Sequence, residues 1–301
     1  MSNQYILAID LGTTGTRASL LNREGDIVAK FYREFTQYFP RAGWVEHDPE
    51  EIWQSTLQVI QGVLSETKIK SSDIAGIGIS NQRETTILWG KDTGRPLCKA
   101  IVWQCRRTAP LCDNLKAGGL QATIKRKTGL VIDPYFSATK IKWILDNIPD
   151  VRKKAKKGKV LFGTVDSWLL WKLTGGKAHL TEYTNASRTM LFNIHNLKWD
   201  EELLDIFDIP RDILPEVKPS KYIFGYTRKN ETFPQGVPIA GIMGDQQASL
   251  FGQVCFQPGM VKNTYGTGCF LLLNTGKRPI NSSQGLLTSL FCNEKGEPGY
   301  I

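Results

Sequence analysis

One short stretch constrains the fold more than any other. An apolar run, Tyr5 to Ile9, delivers Asp10 to the end of a strand. Leu11-Gly12-Thr13-Thr14-Gly15-Thr16-Arg17 then turns the chain back into a second apolar run, Ala18 to Leu21. The hairpin loop therefore holds a carboxylate, two glycines, three threonines and an arginine. Glycines let a backbone approach a ligand closely, and successive loop N–H groups can form an anion-binding nest. Hydroxyls and Arg17 add phosphate donors, and Asp10 is placed to reach a phosphate-bound Mg²⁺, directly or through water. A phosphate-binding hairpin and an ordinary polar hairpin both fit this composition.

The turn Asn22 to Gly25 and a third strand, Ile27 to Phe35, continue an antiparallel meander. Asp48 then suits a helix N-cap, Pro49 the first helical position, and Glu50 and Glu51 the positive end of the helix dipole. Trp53, Leu57, Ile60 and Leu64 recur at helical spacing and predict the face that packs on the sheet. Ile74 to Ser80 reads as a buried strand ending at Asn81-Gln82-Arg83-Glu84, followed by a strand from Thr85 to Trp89 and a return from Ala100 to Trp103. Arg106 to Lys157 reads as mainly helical, broken at Gly118-Gly119 and at Gly129 to Pro134.

A strand at Val160 to Phe162, a helix at Val165 to Leu173 and an amphipathic helix at Asp200 to Phe207 follow. The buried strand Val237 to Met243 ends at Gly244-Asp245, before a helix from Gln246 to Gly252. Met260 to Tyr265, Phe270 to Asn274 and Leu286 to Cys292 make a closing strand cluster, with Gly266-Thr267-Gly268 in its first hairpin and Tyr300-Ile301 opening another strand. Strands alternating with helices after an antiparallel start indicate an α/β architecture with a mixed sheet. With 301 residues, two domains, or one and part of another, are expected. Three late strands without helices to cover them imply a piece of something longer.

Several function classes fall away. No apolar run approaches the roughly 18 residues a membrane span needs. Met1-Ser2-Asn3-Gln4 has no basic region before the apolar run, so the expected location is the cytoplasm. Cys98, Cys105, Cys112, Cys255, Cys269 and Cys292 form no CxxC pair and read as reduced thiols rather than zinc ligands. The net charge of +9 is concentrated in Arg152 to Lys159, where no interleaved aromatics offer a stacking platform for nucleic acid. G-x-x-x-x-G-K-[ST], G-x-G-x-x-G before a helix and G-x-S-x-G are all missing, and His47, His179 and His195 stand apart.

Three constellations remain. Arg83 and Glu84 lie just past a buried strand, where open α/β sheets place ligand groups and where a solvated turn would also carry charges. Asp245 ends another strand before a helix, as an N-cap or as an ionised general base. Gly266-Thr267-Gly268 is a second small hairpin with a hydroxyl. Together the two glycine and threonine hairpins suggest a phosphate chain clamped between two units.

With these residues in view, Asp10 to Arg17 resembles the first phosphate motif of the superfamily of sugar kinases, heat-shock ATPases and actin. Tyr135-Phe-Ser-Ala-Thr-Lys140-Ile-Lys-Trp143-Ile is similar to the signature of the FGGY carbohydrate kinases. Asn81 to Thr86, Trp103 to Arg107, Gly129 to Tyr135, Gly244 to Gln247 and Asn263 to Phe270 resemble the glycerol kinases of that family. The likeness runs from Tyr5 to Tyr300.

The resemblance implies a ribonuclease H-like, actin-like ATPase fold, its mixed sheet flanked by helices. Residues 1–253 would form the first domain, and 254–301 would begin a second of the same type, present only as its first strands. It implies ATP-dependent phosphorylation of glycerol to sn-glycerol 3-phosphate with Mg²⁺, and a homo-oligomer for the full-length form. Arg83, Glu84, Tyr135 and Asp245 would bind the glycerol hydroxyls with Gln246 beside them, and Trp103 and Phe270 would cover its carbons. Asp245 would be the catalytic base and Asp10 the metal contact. Thr13, Thr14, Gly15 and Arg17 would hold phosphate from one side, Gly266 and Thr267 from the other.

In the family the adenosine-binding half lies beyond residue 301, so very weak or no turnover is expected of this chain by itself, with apolar surface left exposed. The segment Tyr226 to Gly236 lacks the glycine-rich loop that binds an allosteric sugar bisphosphate in some bacterial relatives. The alternatives are a kinase for another polyol or sugar of the same family, and a truncated, non-catalytic pseudokinase.

Overall fold

The computed structural model describes residues 5–229, 236–266 and 268–301. Six strands form the main sheet, in the order Lys221–Tyr226, Pro238–Gly244, Ile74–Asn81, Tyr5–Leu11, Gly15–Leu21 and Ile27–Glu34. Ile74–Asn81 runs parallel to both Tyr5–Leu11 and Pro238–Gly244, and the remaining pairings are antiparallel. The sheet is therefore mixed, as the alternation of elements predicts. Its register matters for the site, because Asn81 pairs with Leu11 on one side and with Gly244 on the other. Three parallel strands thus end side by side, and the segments that leave them emerge at one edge.

Leu7, Ile9 and Leu11 point to the covered face of the sheet, while Ala8 and Asp10 lie on the other. The helix Pro49–Thr67 covers the first face. Its N-cap is Asp48, whose carboxylate accepts from the Glu50 N–H at 2.9 Å. The expected contact face is rotated. Ile52, Ser55, Thr56, Val59, Ile60 and Val63 are buried, whereas Trp53, Leu57 and Leu64 flank the contact. Small and β-branched residues let the helix approach closely enough for Ser55 Oγ to meet Thr16 Oγ1 at 2.9 Å, and bulky Trp53 fits only at the margin.

A second apolar core lies beside the sheet. Leu130, Phe136, Ile141, Ile144, Phe162, Phe192 and Phe207 are buried there. The helical region divides at Gly118-Gly119, at Gly129 to Pro134 and again at Ile148-Pro149-Asp150, into Ala109–Ala117, Gln121–Thr128, Ser137–Asn147 and Val151–Lys156. The late strands differ from the expected single cluster. Val261–Tyr265 pairs with Cys269–Leu273 in one hairpin, and Leu290–Cys292 pairs with Pro298–Tyr300 in another. Tyr300 therefore closes a hairpin rather than opening a new strand. Leu290 enters the second core, and the Thr288 N–H donates to the Gly129 carbonyl at 3.0 Å. Residues 230–235, within the Tyr226 to Gly236 segment, lie outside the described residues. Among the described residues no helix is long and apolar enough to cross a membrane.

Candidate active site

The edge where the three parallel strands end carries the polar groups picked out in the sequence. Asp10 is the penultimate residue of the first strand, Arg83 and Glu84 follow the second, and Asp245 follows the third. Gly244 is the N-cap and Asp245 the first residue of the helix Asp245–Gly252, which starts one position earlier than its apolar pattern suggests. A cavity of about 180 Å³ opens here, and Arg83, Glu84, Trp103, Tyr135, Asp245, Gln246 and Phe270 all line it. Thr13 and Thr14 reach it from the first hairpin, and Thr264, Gly266 and Gly268 from the late one.

Arg83 is the hub. It is 4% exposed. Its Nη1 donates to Gln247 Oε1 at 3.1 Å and its Nη2 to the Tyr135 hydroxyl at 3.4 Å. Nε lies 3.2 Å from Asp245 Oδ1 and 3.9 Å from Glu84 Oε1. The Nε–H is nevertheless out of line for a hydrogen bond and is a buried donor without a partner among the described residues. Such a donor is costly unless something satisfies it. A Cβ on Gly244 would sit 2.7 Å from Arg83 Cδ, so only glycine leaves room there for the guanidinium stem.

Glu84 is 1% exposed and has φ of 63°, a left-handed conformation that costs a non-glycine residue on the order of 1–3 kcal/mol. Arg188 Nε donates to Glu84 Oε1 at 2.6 Å, and its guanidinium lies 5.3 Å from the Tyr135 ring centroid. Trp103, Tyr135 and Phe270 form the apolar walls, with Trp103 5.7 Å from Tyr135 and 6.2 Å from Phe270, centroid to centroid. Trp103 also makes a polar contact. Its indole N–H donates to Thr13 Oγ1 at 2.9 Å, joining the polar pocket to the first hairpin.

Burial pushes the Asp245 carboxyl above the ordinary range; Arg83 pulls it back, and Glu84 and Asp10 add to the rise. Asp10 does not line the cavity, but its charge reaches Asp245, and its Oδ1 accepts from Ser80 Oγ at 2.6 Å. Arg17 and Gly15 also lie away from the cavity. Arg17 is exposed, pairs across the strands with Asp10, and stands 5.7 Å from the Tyr32 ring centroid. Gly15 is required by packing, since a Cβ would lie 2.5 Å from the Arg33 carbonyl oxygen. Thr267 lies outside the described residues.

Four groups escape the sequence reading. Gln247, the last residue of the Gly244 to Gln247 motif, anchors Arg83. Arg188 and Lys140 hold Glu84 from distant parts of the chain. Lys262, pushed down to about 8 by burial, donates to Gln246 Oε1 and, at 2.7 Å, to Thr264 Oγ1. The alternation of its strand, with Lys262 and Thr264 facing inward, is the one signal that points to it.

Residues 5–252 match the family described as "FGGY family of carbohydrate kinases, N-terminal domain". The chain belongs to the FGGY family of carbohydrate kinases. Its mixed sheet flanked by helices is the ribonuclease H-like, actin-like ATPase fold of these enzymes. It is 59% identical to glycerol kinase 2 of Thermotoga maritima over 99% of its own length and 60% of that protein's. The crystal structure of Plasmodium falciparum glycerol kinase with ADP superposes with a TM-score of 0.93 at 38% identity, over 99% of this chain and 60% of that one. A xylulose kinase from Rhodospirillum rubrum shares the fold, with a TM-score of 0.86 at 21% identity over 99% of this chain and 59% of that one. The chain thus spans about 60% of the length of the curated relatives it matches.

Proposed function

We propose that the chain carries the polyol site and the first phosphate hairpin of a cytoplasmic glycerol kinase, which converts glycerol and ATP to sn-glycerol 3-phosphate and ADP. The observation that carries this reading is the cavity itself. Arg83, Glu84, Tyr135 and Asp245 converge on a cavity of about 180 Å³ that the rings of Trp103 and Phe270 also line. A three-carbon triol needs many hydrogen-bonding groups and little apolar wall, and a site built to pair hydroxyls rejects analogues lacking them. The unpartnered Nε–H of Arg83 supplies a buried donor for one such hydroxyl.

In this reading Asp245 is the general base. Its raised pKa brings it closer to the range in which a base works efficiently near neutral pH. The attacking hydroxyl oxygen bonds to the γ-phosphorus, its proton passes to Asp245, and the bond to the bridging oxygen of ADP breaks. Thr13, Thr14, Gly266 and Thr267 hold the phosphate chain, with Gly15 shaping the first hairpin and Arg17 adding positive charge near it. Asp10 fits a divalent metal, because it is a half-buried carboxylate whose charge faces that of Asp245. Mg²⁺ there, when bound, neutralises phosphate charge.

Residues 1–253 are the first domain in this reading, and 254–301 open the second. In support, the family match stops at residue 252, and Val261, Tyr265, Leu271 and Leu273 expose one apolar face of the late hairpin.

Stoichiometric chain incubated with MgATP and a polyol, followed by ³¹P NMR, tests the chemistry where turnover is slow. Glycerol 3-phosphate should appear with glycerol and no phosphate ester with a pentitol. Phosphorylation of the pentitol instead, or ATP hydrolysis without ester, would overturn the assignment.

A further inference from the structure

The helix Ser137–Asn147 buries a lysine that the chemistry proposed above does not use. Lys140 has no exposed surface and sits among Ile141, Ile144 and Phe136 of the second core. An ammonium group is expensive to bury, and burial pushes this one down to about 7, with the Glu84 carboxylate pulling it back up. A methionine would fill the same length of core without that cost. What a lysine adds is directional donors, and both of those seen here go to residues of the cavity wall. Nζ donates to the Glu84 carbonyl at 3.2 Å and to the Tyr135 carbonyl. Two carbonyls need two N–H donors, which the neutral amine also has.

The Glu84 carbonyl is an unusually crowded acceptor. Ser137 Oγ reaches it at 3.1 Å and Thr86 Oγ1 at 3.1 Å, alongside Lys140. All three act on a residue whose φ of 63° favours glycine. Ser137 and Thr86 fix Glu84 alone, whereas Lys140 ties it to Tyr135. We infer that Lys140 is a positioning residue of the polyol site: it links the backbones of Glu84 and Tyr135 and so holds Glu84 in the left-handed conformation that sets its carboxylate in the cavity wall. This rests on reading the cavity as a polyol site. Supporting groups of this kind decide whether a site is held to its working geometry or left loose.

The test uses the chain as it is, with glycerol as the probe. Lys140→Met should lower glycerol affinity tenfold or more by calorimetry. It should also accelerate amide hydrogen exchange in residues 83–86 by a similar factor, while exchange in the strand Tyr5–Leu11 stays as in the parent. Ser137→Ala removes a second donor at lower risk to the core and should shift both readouts two- to fivefold in the same direction. If Lys140→Met does not fold, Ser137→Ala decides. Unchanged glycerol affinity together with unchanged exchange at 83–86 would overturn the assignment, as would acceleration spread evenly over the chain, which marks a merely structural lysine. Failure of the parent chain to bind glycerol would sink the polyol reading, and the local exchange comparison would then decide the role of Lys140 by itself.

Discussion

Arg83 Nε and Asp245 Oδ1 stand 3.2 Å apart at the ends of two adjacent parallel strands. The contact is an ion pair without an aligned hydrogen bond, so the guanidinium lowers the Asp245 pKa without occupying the oxygen along its N–H direction. That arrangement suits a base that must receive a proton from a third party. Asp245→Asn keeps an oxygen that can accept from a hydroxyl, so it should weaken glycerol binding by about tenfold at most and slow phosphoryl transfer by more, on the order of 10²–10⁴-fold. Single-turnover ³¹P NMR beside calorimetry separates the two effects.

The direction of the Asp245 shift sets a pH dependence. As the proposed base, Asp245 would act only when ionised, and burial raises its pKa above the ordinary carboxylate value. Transfer should therefore fall as pH drops toward that raised pKa, at a higher pH than an exposed aspartate would give. The pH profile of the single-turnover rate constant measures this limb, and Asp245→Asn should flatten it.

Gly244 is a tight spot. Gly244→Ala would force a Cβ to within 2.7 Å of Arg83 Cδ, and the guanidinium is pinned by Gln247 and Tyr135. Overpacking of this kind costs about 1–3 kcal/mol. If that falls on the site, glycerol affinity drops roughly five- to hundredfold, which a titration of the variant reads directly.

Behind the site, the Gly244 N–H donates to Thr184 Oγ1 at 2.8 Å, and Thr184 Oγ1 donates to Glu182 Oε1 at 2.6 Å. Thr184→Val keeps the volume and removes the acceptor, leaving a buried N–H unpaired at a cost of about 1–3 kcal/mol. The urea midpoint should fall accordingly.

Lys140 gives a stability signature of the opposite sense to a salt bridge. Its folded pKa is lowered to about 7 from 10.5, so the unfolded chain binds the proton more tightly. Its destabilising contribution is full below pH 7 and fades as pH rises toward 10.5. Parent stability should climb across that window, and the slope should be smaller in Lys140→Met. Urea denaturation at several pH values measures the difference.

Much of this is legible in the sequence because local signals and tertiary demands agree. The first hairpin, the Asp48 cap and the strand ends at Asn81 and Gly244 follow from apolar runs and their breakers. The contact face of Pro49–Thr67 is not, because close packing at Ser55 and Thr56 favours small side chains over the larger apolar ones that define the pattern. Nor are the residues that hold Glu84. Arg188 and Lys140 meet it across separations of 104 and 56 residues, and nothing in the intervening chain marks them as partners. Gly15 shows the converse limit, since a glycine in a phosphate-like loop is needed here to clear Tyr32 and Arg33.

In the proposed reading the cavity lined by Arg83, Glu84 and Asp245 receives a three-carbon polyol. Calorimetric titration of the chain with glycerol, run for the parent and for Glu84→Ala, tests it most directly. Saturable one-to-one binding by the parent, weakened tenfold or more in Glu84→Ala, is the predicted result. No glycerol binding by the folded parent, or equal affinity in the two proteins, would contradict it.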